Sequence, residues 1–323
     1  MPLKQSSDLL IAPPADLRAQ NTVGAYVVTF RRPRLLAESL RALQDQTHPL
    51  QQIVVVNNDP HSDVGSLLVR RFPEVAVATA QRNTGSAGGF AAALRLAYDA
   101  GMTWAWLMDD DVVPFPDALA ELLAAHAVLP PEAAPVGILA PLQVSPRAVF
   151  GVSLWRYRLV DPPVARRDGA DPYPVDVAYW AGMLVHRRVI EEIGFPRSDF
   201  FRCFADYEYC LRARTAGFRI FAVPISRVRH DPGSPTRVVR LGRVSFRPDY
   251  PPSRNYYHVR NAAYTTRFVL RSPVAMLYHA LRQVRLSVGD LLYEDRKAVR
   301  VQLRLQGLVD GFRGRLGRRE DLE

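Results

Sequence analysis

Apolar residues in this chain gather into short unbroken runs, separated by longer stretches in which they recur every three or four positions. The runs at residues 25–30 (AYVVTF), 53–56 (IVVV), 75–79 (VAVAT) and 104–108 (WAWLM) carry no charge, and each predicts a strand buried on both faces. Leu35, Leu36, Leu40 and Leu43 keep helical spacing between the first two runs, and another helical stretch precedes the third. The alanine-rich segment 90–98 predicts a helix that starts just after Gly85, Gly88 and Gly89 and stops near Gly101. Strands alternating with helices at this spacing mean βαβ units and a mainly parallel sheet of the α/β class.

Further along, Leu119, Leu122, Leu123 and Ala127 predict a helix, and residues 130–178, rich in Pro, Arg and Asp, read as an irregular excursion. Residues 177–185 (VAYWAGMLV) regain strand character. Asp206 is placed to start a helix that Gly217 stops, with a strand over 218–223. Within 273–292, Leu277, Leu281, Val284, Val288 and Leu291 form an apolar stripe, with Arg282 and Arg285 on the polar side. Such a helix packs on its own domain, on a second subunit, or on an anionic membrane surface.

At 323 residues, 48% hydrophobic and 23% charged, the chain has the composition of a globular protein able to bury a full core. It has no apolar run of membrane-spanning length and no signal-peptide core near its start, so a cytoplasmic protein is expected. Cys203 and Cys210 are too few for a disulfide framework or a zinc site. The net charge of +10 is C-terminal: residues 226–323 hold 20 Lys and Arg against 9 Asp and Glu, while residues 1–225 hold 22 against 23. This basic region suits a phosphate-rich partner, either nucleic acid or an anionic membrane.

Ligands of open parallel sheets bind beyond the carboxyl ends of the strands, where residues 29–31, 57–59, 82–89 and 109–111 converge. Glycines there let backbone approach a ligand, and Gly88 is a candidate for donor contact. The adjacent Asp109, Asp110 and Asp111 repel one another, which points to a divalent cation bound through oxygen; the alternative is a solvated acidic turn before Pro114. The first strand is followed by RRPR, not by a dinucleotide-binding glycine motif, and no GxxxxGK[ST] loop is present, which argues against a dehydrogenase or an ATPase. Asp206 is a general base or a helix cap, Glu208 a ligand contact or the partner of Arg212, and His230 a metal ligand or a structural loop histidine. Tyr179 and Trp180 stack on a sugar ring or pack in the core.

Taken together, the VVTF strand with its basic turn, VVVNND, RNTGSAGGFAAAL, WLMDDDV, FADYEYCLRA and a histidine 24 residues after Asp206 resemble glycosyltransferase family 2, the inverting nucleotide-sugar enzymes of GT-A fold. The likeness is greatest to the galactofuranosyl- and rhamnosyltransferase-like members of actinobacterial cell-wall synthesis. It covers about residues 25–230, with an echo in RNYYHVRN at 254–261. The chain departs from the common pattern in having Phe204 and Ala205 ahead of Asp206.

The resemblance implies a GT-A domain over 23–235, an N-terminal arm over 1–22 and a basic helical region over 236–323. It implies Mn²⁺ or Mg²⁺ held by Asp109, Asp111 and His230, and Asp206 as the base toward the acceptor hydroxyl. The nucleotide-sugar donor would be met by Phe30, Arg31, Asn58, Arg82, Asn83, Gly88 and Asp110, and the acceptor by Tyr179, Trp180 and Glu208. UDP-galactofuranose is the favoured donor, with dTDP-rhamnose as the alternative. The acceptor implied is a polyprenyl-diphosphate-linked glycan at the inner face of the plasma membrane, and a homo-oligomer is possible. The competing class, a basic nucleic-acid-binding protein, is disfavoured because no aromatic residues interleave with the basic ones in a recognisable motif.

Overall fold

Val23–Thr29 (β1) is buried along its whole length, and its side chains divide between two cores. Tyr26 and Val28 face one layer with Val54, Val56, Ala105, Leu107 and Phe90; Ala25 and Val27 face the other with Leu36, Leu40, Val55, Trp104, Trp106 and Met108. A two-sided core of this kind requires helices on both faces of one sheet. A computed structural model describes residues 21–129, 134–145, 149–150, 169–231, 236–240, 243–247 and 251–322. All but the last two residues of the expected arm lie outside these, as does much of the 130–178 segment.

The first half runs β1, α1 (Pro33–Gln44), β2 (Gln52–Asn57), α2 (Val64–Arg71), β3 (Ala76–Thr79), α3 (Gly85–Asp99), β4 (Trp104–Asp109), β5 (Val113–Pro114) and α4 (Ala118–Val128). Next come β6 (Val136–Val144), β7 (Val149–Phe150), β8 (Tyr173–Pro174), β9 (Met183–His186), α5 (Arg187–Ile193), α6 (Ala205–Thr215) and β10 (Arg219–Arg229). The hairpin β11 (Thr236–Arg240) and β12 (Arg243–Arg247) leads to α7 (Pro252–Tyr264), α8 (Pro273–Tyr293) and α9 (Lys297–Arg313).

The main sheet has the order β3-β2-β1-β4-β9-β6-β10-β5, with β7 on β6 and β8 on β10. β1 to β4 are parallel, β9 is antiparallel to both β4 and β6, and β6 and β10 are parallel to each other. The register pairs Val28 with Asp109, Thr29 with Asn57, and Asn57 with Thr79, so these strands end together along one edge.

Several expectations are corrected. α3 starts at Gly85 and contains all three glycines, because Gly85, with φ of 69°, makes the turn itself and Gly88 and Gly89 are small enough to pack inside the helix. Of the 177–185 run only residues 183–185 are strand, in β9 (Met183–His186), since Gly182 at φ of 87° breaks the extension. Asp206 lies inside the first turn of α6 and does not cap it; the N-cap position is Phe204, in a left-handed conformation. The excursion hides β6, a nine-residue buried strand whose apolar run was masked by Pro141 and its polar surroundings.

The C-terminal helices complete the fold beneath α6. Phe201, Cys203 and Phe204 all hold positive φ, at 63°, 61° and 66°, in the loop that delivers α6, a conformation costly for non-glycine residues. α7 clamps that loop. Asn261 Nδ2 donates to the carbonyls of Phe200, Arg202 and Cys203 at 3.1, 2.9 and 2.8 Å, and fully buried Arg260 donates to those of Asp199 and Phe200 at 3.3 and 2.9 Å. Replacing Asn261 with Ala removes the side-chain donor from the carbonyls of Arg202 and Cys203, while the Phe200 carbonyl keeps Arg260, and should lower unfolding free energy by about 1–3 kcal/mol. Urea denaturation measures this, and a change within error would show that the loop holds its shape without the clamp.

Candidate active site

The carboxyl edge of the sheet brings three carboxylates together, because β4 ends at Asp109 and the chain turns back at once. Asp110 is buried and accepts from Thr29 Oγ1 at 2.7 Å and from the Phe30 amide at 3.3 Å, which locks β4 to the end of β1. Arg32 Nη1 reaches Asp111 Oδ2 at 2.8 Å and Asp110 Oδ1 at 3.4 Å. One guanidinium therefore serves two acids. Asp109 is pushed well above the usual carboxylate range, chiefly by burial and then by the charges of Asp111, Asp110 and Asp206. Burial also raises Asp110, against the Thr29 hydrogen bond and Arg32, which pull it down.

His230 follows β10, where its amide donates to the Val144 carbonyl at 3.0 Å. Its Nδ1 lies 2.8 Å from Gln143 Oε1, and its Nε2 lies 3.5 Å from Asp111 Oδ1. With the Gln143 oxygen as acceptor, Nδ1 carries the proton and Nε2 turns its lone pair toward Asp111. Burial lowers the proton affinity of the ring, against the pull of Asp111 and Asp231. Asp111 Oδ1 is itself a buried oxygen without a hydrogen-bond partner. A neutral imidazole nitrogen facing an unpartnered carboxylate oxygen is a donor set for a divalent cation. Among the described residues no three His, Cys, Asp or Glu side chains close a shell unaided, so further ligands would have to come from a bound anion or water.

Asp206 is half-buried in the first turn of α6, and its Oδ1 accepts from the Tyr207 amide at 2.9 Å. Burial raises its pKa to about 6. The carboxyl is thus poised to exchange a proton near neutrality, and its charge reaches Asp109. α6 is oriented by buried Glu208, which pairs with Arg212 at 2.7 Å, while Arg212 binds the carbonyls of Ile193 and Phe195.

A cavity of about 980 Å³ adjoins the acidic edge, lined by Phe30, Arg31, Asp59, Arg82 and Asn83 on the sheet side and by Arg296, Leu303 and Arg318 on the C-terminal side. Arg31 donates to buried Asp59 at 2.6 Å and lies over the Phe30 ring at 4.9 Å. Asn58 is buried and internally committed: its Nδ2 donates to the Gly85 carbonyl and its Oδ1 accepts from Thr84 Oγ1, both at 2.7 Å. It ties β2 to the glycine turn. A Cβ on Gly88 would sit 2.5 Å from Thr84, and one on Gly89 would sit 2.5 Å from Val28, so these glycines permit protein packing rather than ligand approach.

Asp109, Asp110, Asp111 and His230 thus meet at the end of β4, with Asp206 near enough for its charge to act on Asp109, and Phe30, Arg31, Arg82 and Asn83 line the adjoining cavity. Trp180 is buried against Phe90 at 4.7 Å, in the core rather than at the crevice wall, and Glu208 is held by Arg212. Tyr179 is half-buried, with its hydroxyl 3.0 Å from that of Tyr207, beside Asp206. Sequence reasoning placed Asp59 at this edge but did not place Arg32, Gln143, Arg296 or Arg318 there. A paired RR opposite DDD was a usable signal for Arg32, and none pointed to the C-terminal arginines.

A family model described as "Glycosyltransferase like family 2" matches residues 20–241. Galactofuranosyltransferase GlfT1 of Mycolicibacterium smegmatis is 40% identical over 92 residues, 28% of this chain, and the match spans about 30% of that relative's length. Among solved structures, residues 1–349 of Staphylococcus aureus TarS superpose with a TM-score of 0.56 at 12% identity, covering 90% of this chain and 80% of that one. Mannosyltransferase PcManGT from Pyrobaculum calidifontis, in complex with GDP-Man and Mn²⁺, gives 0.51 at 15% identity, covering 91% and 86%. These structural likenesses establish the shared fold.

Gly85→Ala tests the turn beneath the site. Its Cβ would fall 1.9 Å from the Phe201 carbonyl oxygen, and the residue must keep φ of 69°. A loss on the order of 2–4 kcal/mol is expected, read as a lowered thermal midpoint; an unchanged midpoint would contradict this packing.

Proposed function

Because this chain belongs to glycosyltransferase-like family 2 and is therefore a glycosyltransferase, we propose that it transfers a sugar, with inversion, from a nucleotide-sugar donor to an acceptor hydroxyl, using Mn²⁺ or Mg²⁺. The observation that carries the reading is the pairing of two sets on one edge: the Asp109–Asp111 and His230 group, and Asp206, whose pKa of about 6 suits a base. UDP-galactofuranose is the favoured donor and a polyprenyl-diphosphate-linked glycan the favoured acceptor, met at the inner face of the membrane. The 40% identical stretch shared with a galactofuranosyltransferase supports that choice.

Asp111 and His230, with Asp109 beside them, would hold the cation, which would offset the charge that builds on the diphosphate as the anomeric C–O bond breaks. Phe30, Arg31, Arg82 and Asn83 would seat the nucleotide, and Arg296 and Arg318 would close over its far side. Asp206 takes the proton of the acceptor hydroxyl as its oxygen attacks the anomeric carbon, and the nucleoside diphosphate departs from the opposite face. Tyr179 and Tyr207 line the acceptor side, where their paired hydroxyls can bind sugar hydroxyls.

A base must be ionised to act, so kcat/KM should fall as pH drops through about 6, with a slope of one proton. Asp206→Asn should lower turnover by a factor on the order of a thousand or more while leaving donor affinity nearly unchanged. Because burial raises the Asp206 pKa, its ionised form opposes folding above pH 6. The same variant should therefore gain about 1–3 kcal/mol of stability at pH 8 and little at pH 4. Steady-state kinetics and melts at both pH values check this, and full activity in the variant would remove the base assignment.

A further inference from the structure

Helix α8 turns its polar residues inward and its apolar residues outward. The side chains buried against the protein include His279, Gln283 and Asp290. Val274, Leu277, Leu281, Val284, Val288 and Leu291 share the opposite face and are 48% to 69% exposed. The inward face is fixed: Arg304 of α9 pairs with Asp290 and donates to Gln283 Oε1 at 3.1 Å, and His279 Nε2 lies 3.2 Å from the Val259 carbonyl. Rolling the helix to bury its leucines would break the buried Arg304–Asp290 ion pair and leave its partners uncompensated. The outward stripe is therefore the resting arrangement, and a continuous exposed apolar surface of this kind marks a contact.

Charge identifies what it contacts. Asp290 is the sole acid of α8 and faces inward, and the next two, Glu294 and Asp295, are tied to Arg300. Exposed Arg271 precedes the stripe, exposed Arg285 flanks it, and exposed Arg296 and Lys297 follow it. A second copy docked on this face would bring the same cations together with no free carboxylate on the helix to match them. An apolar stripe bordered by cations fits an anionic bilayer surface. Among the described residues no helix is long and apolar enough to cross a membrane, so the contact is interfacial. The helix that carries the stripe also lies near the chemistry, since the charge of Arg282 reaches the Tyr207 phenol, next to Asp206.

We propose that the outward stripe of α8 is a docking face for an anionic phospholipid surface, with the helix lying in the interface and the acceptor side of the crevice turned toward the lipid. This deepens the reading of a lipid-carried acceptor by naming the surface on which it is met, but it is tested by binding and not by turnover. Flotation of the full chain with phosphatidylcholine vesicles, with and without phosphatidylglycerol, is the measurement.

Binding is expected only with phosphatidylglycerol, and it should weaken as salt rises. Leu277→Gln with Leu281→Gln and Val284→Gln should cut partitioning on the order of tenfold or more, and Arg285→Glu with Lys297→Glu should remove the salt-dependent part. Circular dichroism melts of both variants should match the parent, since every altered side chain is exposed. Absence of binding by the parent, or equal binding by the glutamine variant, overturns the proposal. A parent dimer in sedimentation that the glutamine variant turns into monomer would assign the stripe to a second copy instead. If vesicle binding holds while no donor is turned over, the docking face stands and the sugar-transfer reading fails.

Discussion

The structure depends on one electrostatic constraint: four carboxylates, Asp109, Asp110, Asp111 and Asp206, are gathered where a parallel sheet ends, with the Arg32 guanidinium hydrogen-bonded to Asp110 and Asp111. Asp110 is accommodated by Thr29 and the Phe30 amide, and Asp111 by half of a guanidinium. Burial still leaves Asp109, Asp110 and Asp206 with raised proton affinities. Charge compensation from a bound cation would therefore be tied to occupancy of the site, which suits a reaction whose leaving group is itself an anion.

The second requirement is positional. Asp206 lies at the start of α6 because a loop with three left-handed non-glycine residues aims it there, and that loop is held by Arg260 and Asn261 from α7. The C-terminal region thus contributes to the crevice twice. α7 fixes the loop before Asp206, the proposed base, and the segment from Arg296 to Arg318 walls the cavity beside Phe30 and Arg31. The same region presents the outward stripe of α8, so scaffold and proposed docking face belong to adjoining helices.

Much of this was legible in the sequence where local chemistry decides structure. Runs such as WAWLM have to be buried strands, and the acids that follow such a run have to lie at a sheet edge, so the crevice could be drawn before the fold was seen. Long-range packing was not legible. The glycines at 85, 88 and 89 read as a ligand cradle, whereas their missing Cβ atoms make room for Phe201, Thr84 and Val28. β6 was hidden because Pro141 sits in the middle of a strand, and with it went Gln143, which orients His230. The apolar stripe of α8 was visible from its spacing, but its outward direction follows from Asp290 and Arg304, fourteen residues apart in sequence and joined only in the fold.

The central claim is that the acidic edge and His230 form a cation site completed by the donor's diphosphate. Titration of Mn²⁺ into the protein, followed by electron paramagnetic resonance with and without UDP, tests it most directly. The account predicts weak binding alone, binding at least tenfold tighter with UDP, and loss of that gain in Asp111→Asn and His230→Ala. Undiminished UDP-dependent Mn²⁺ binding in both variants would contradict it.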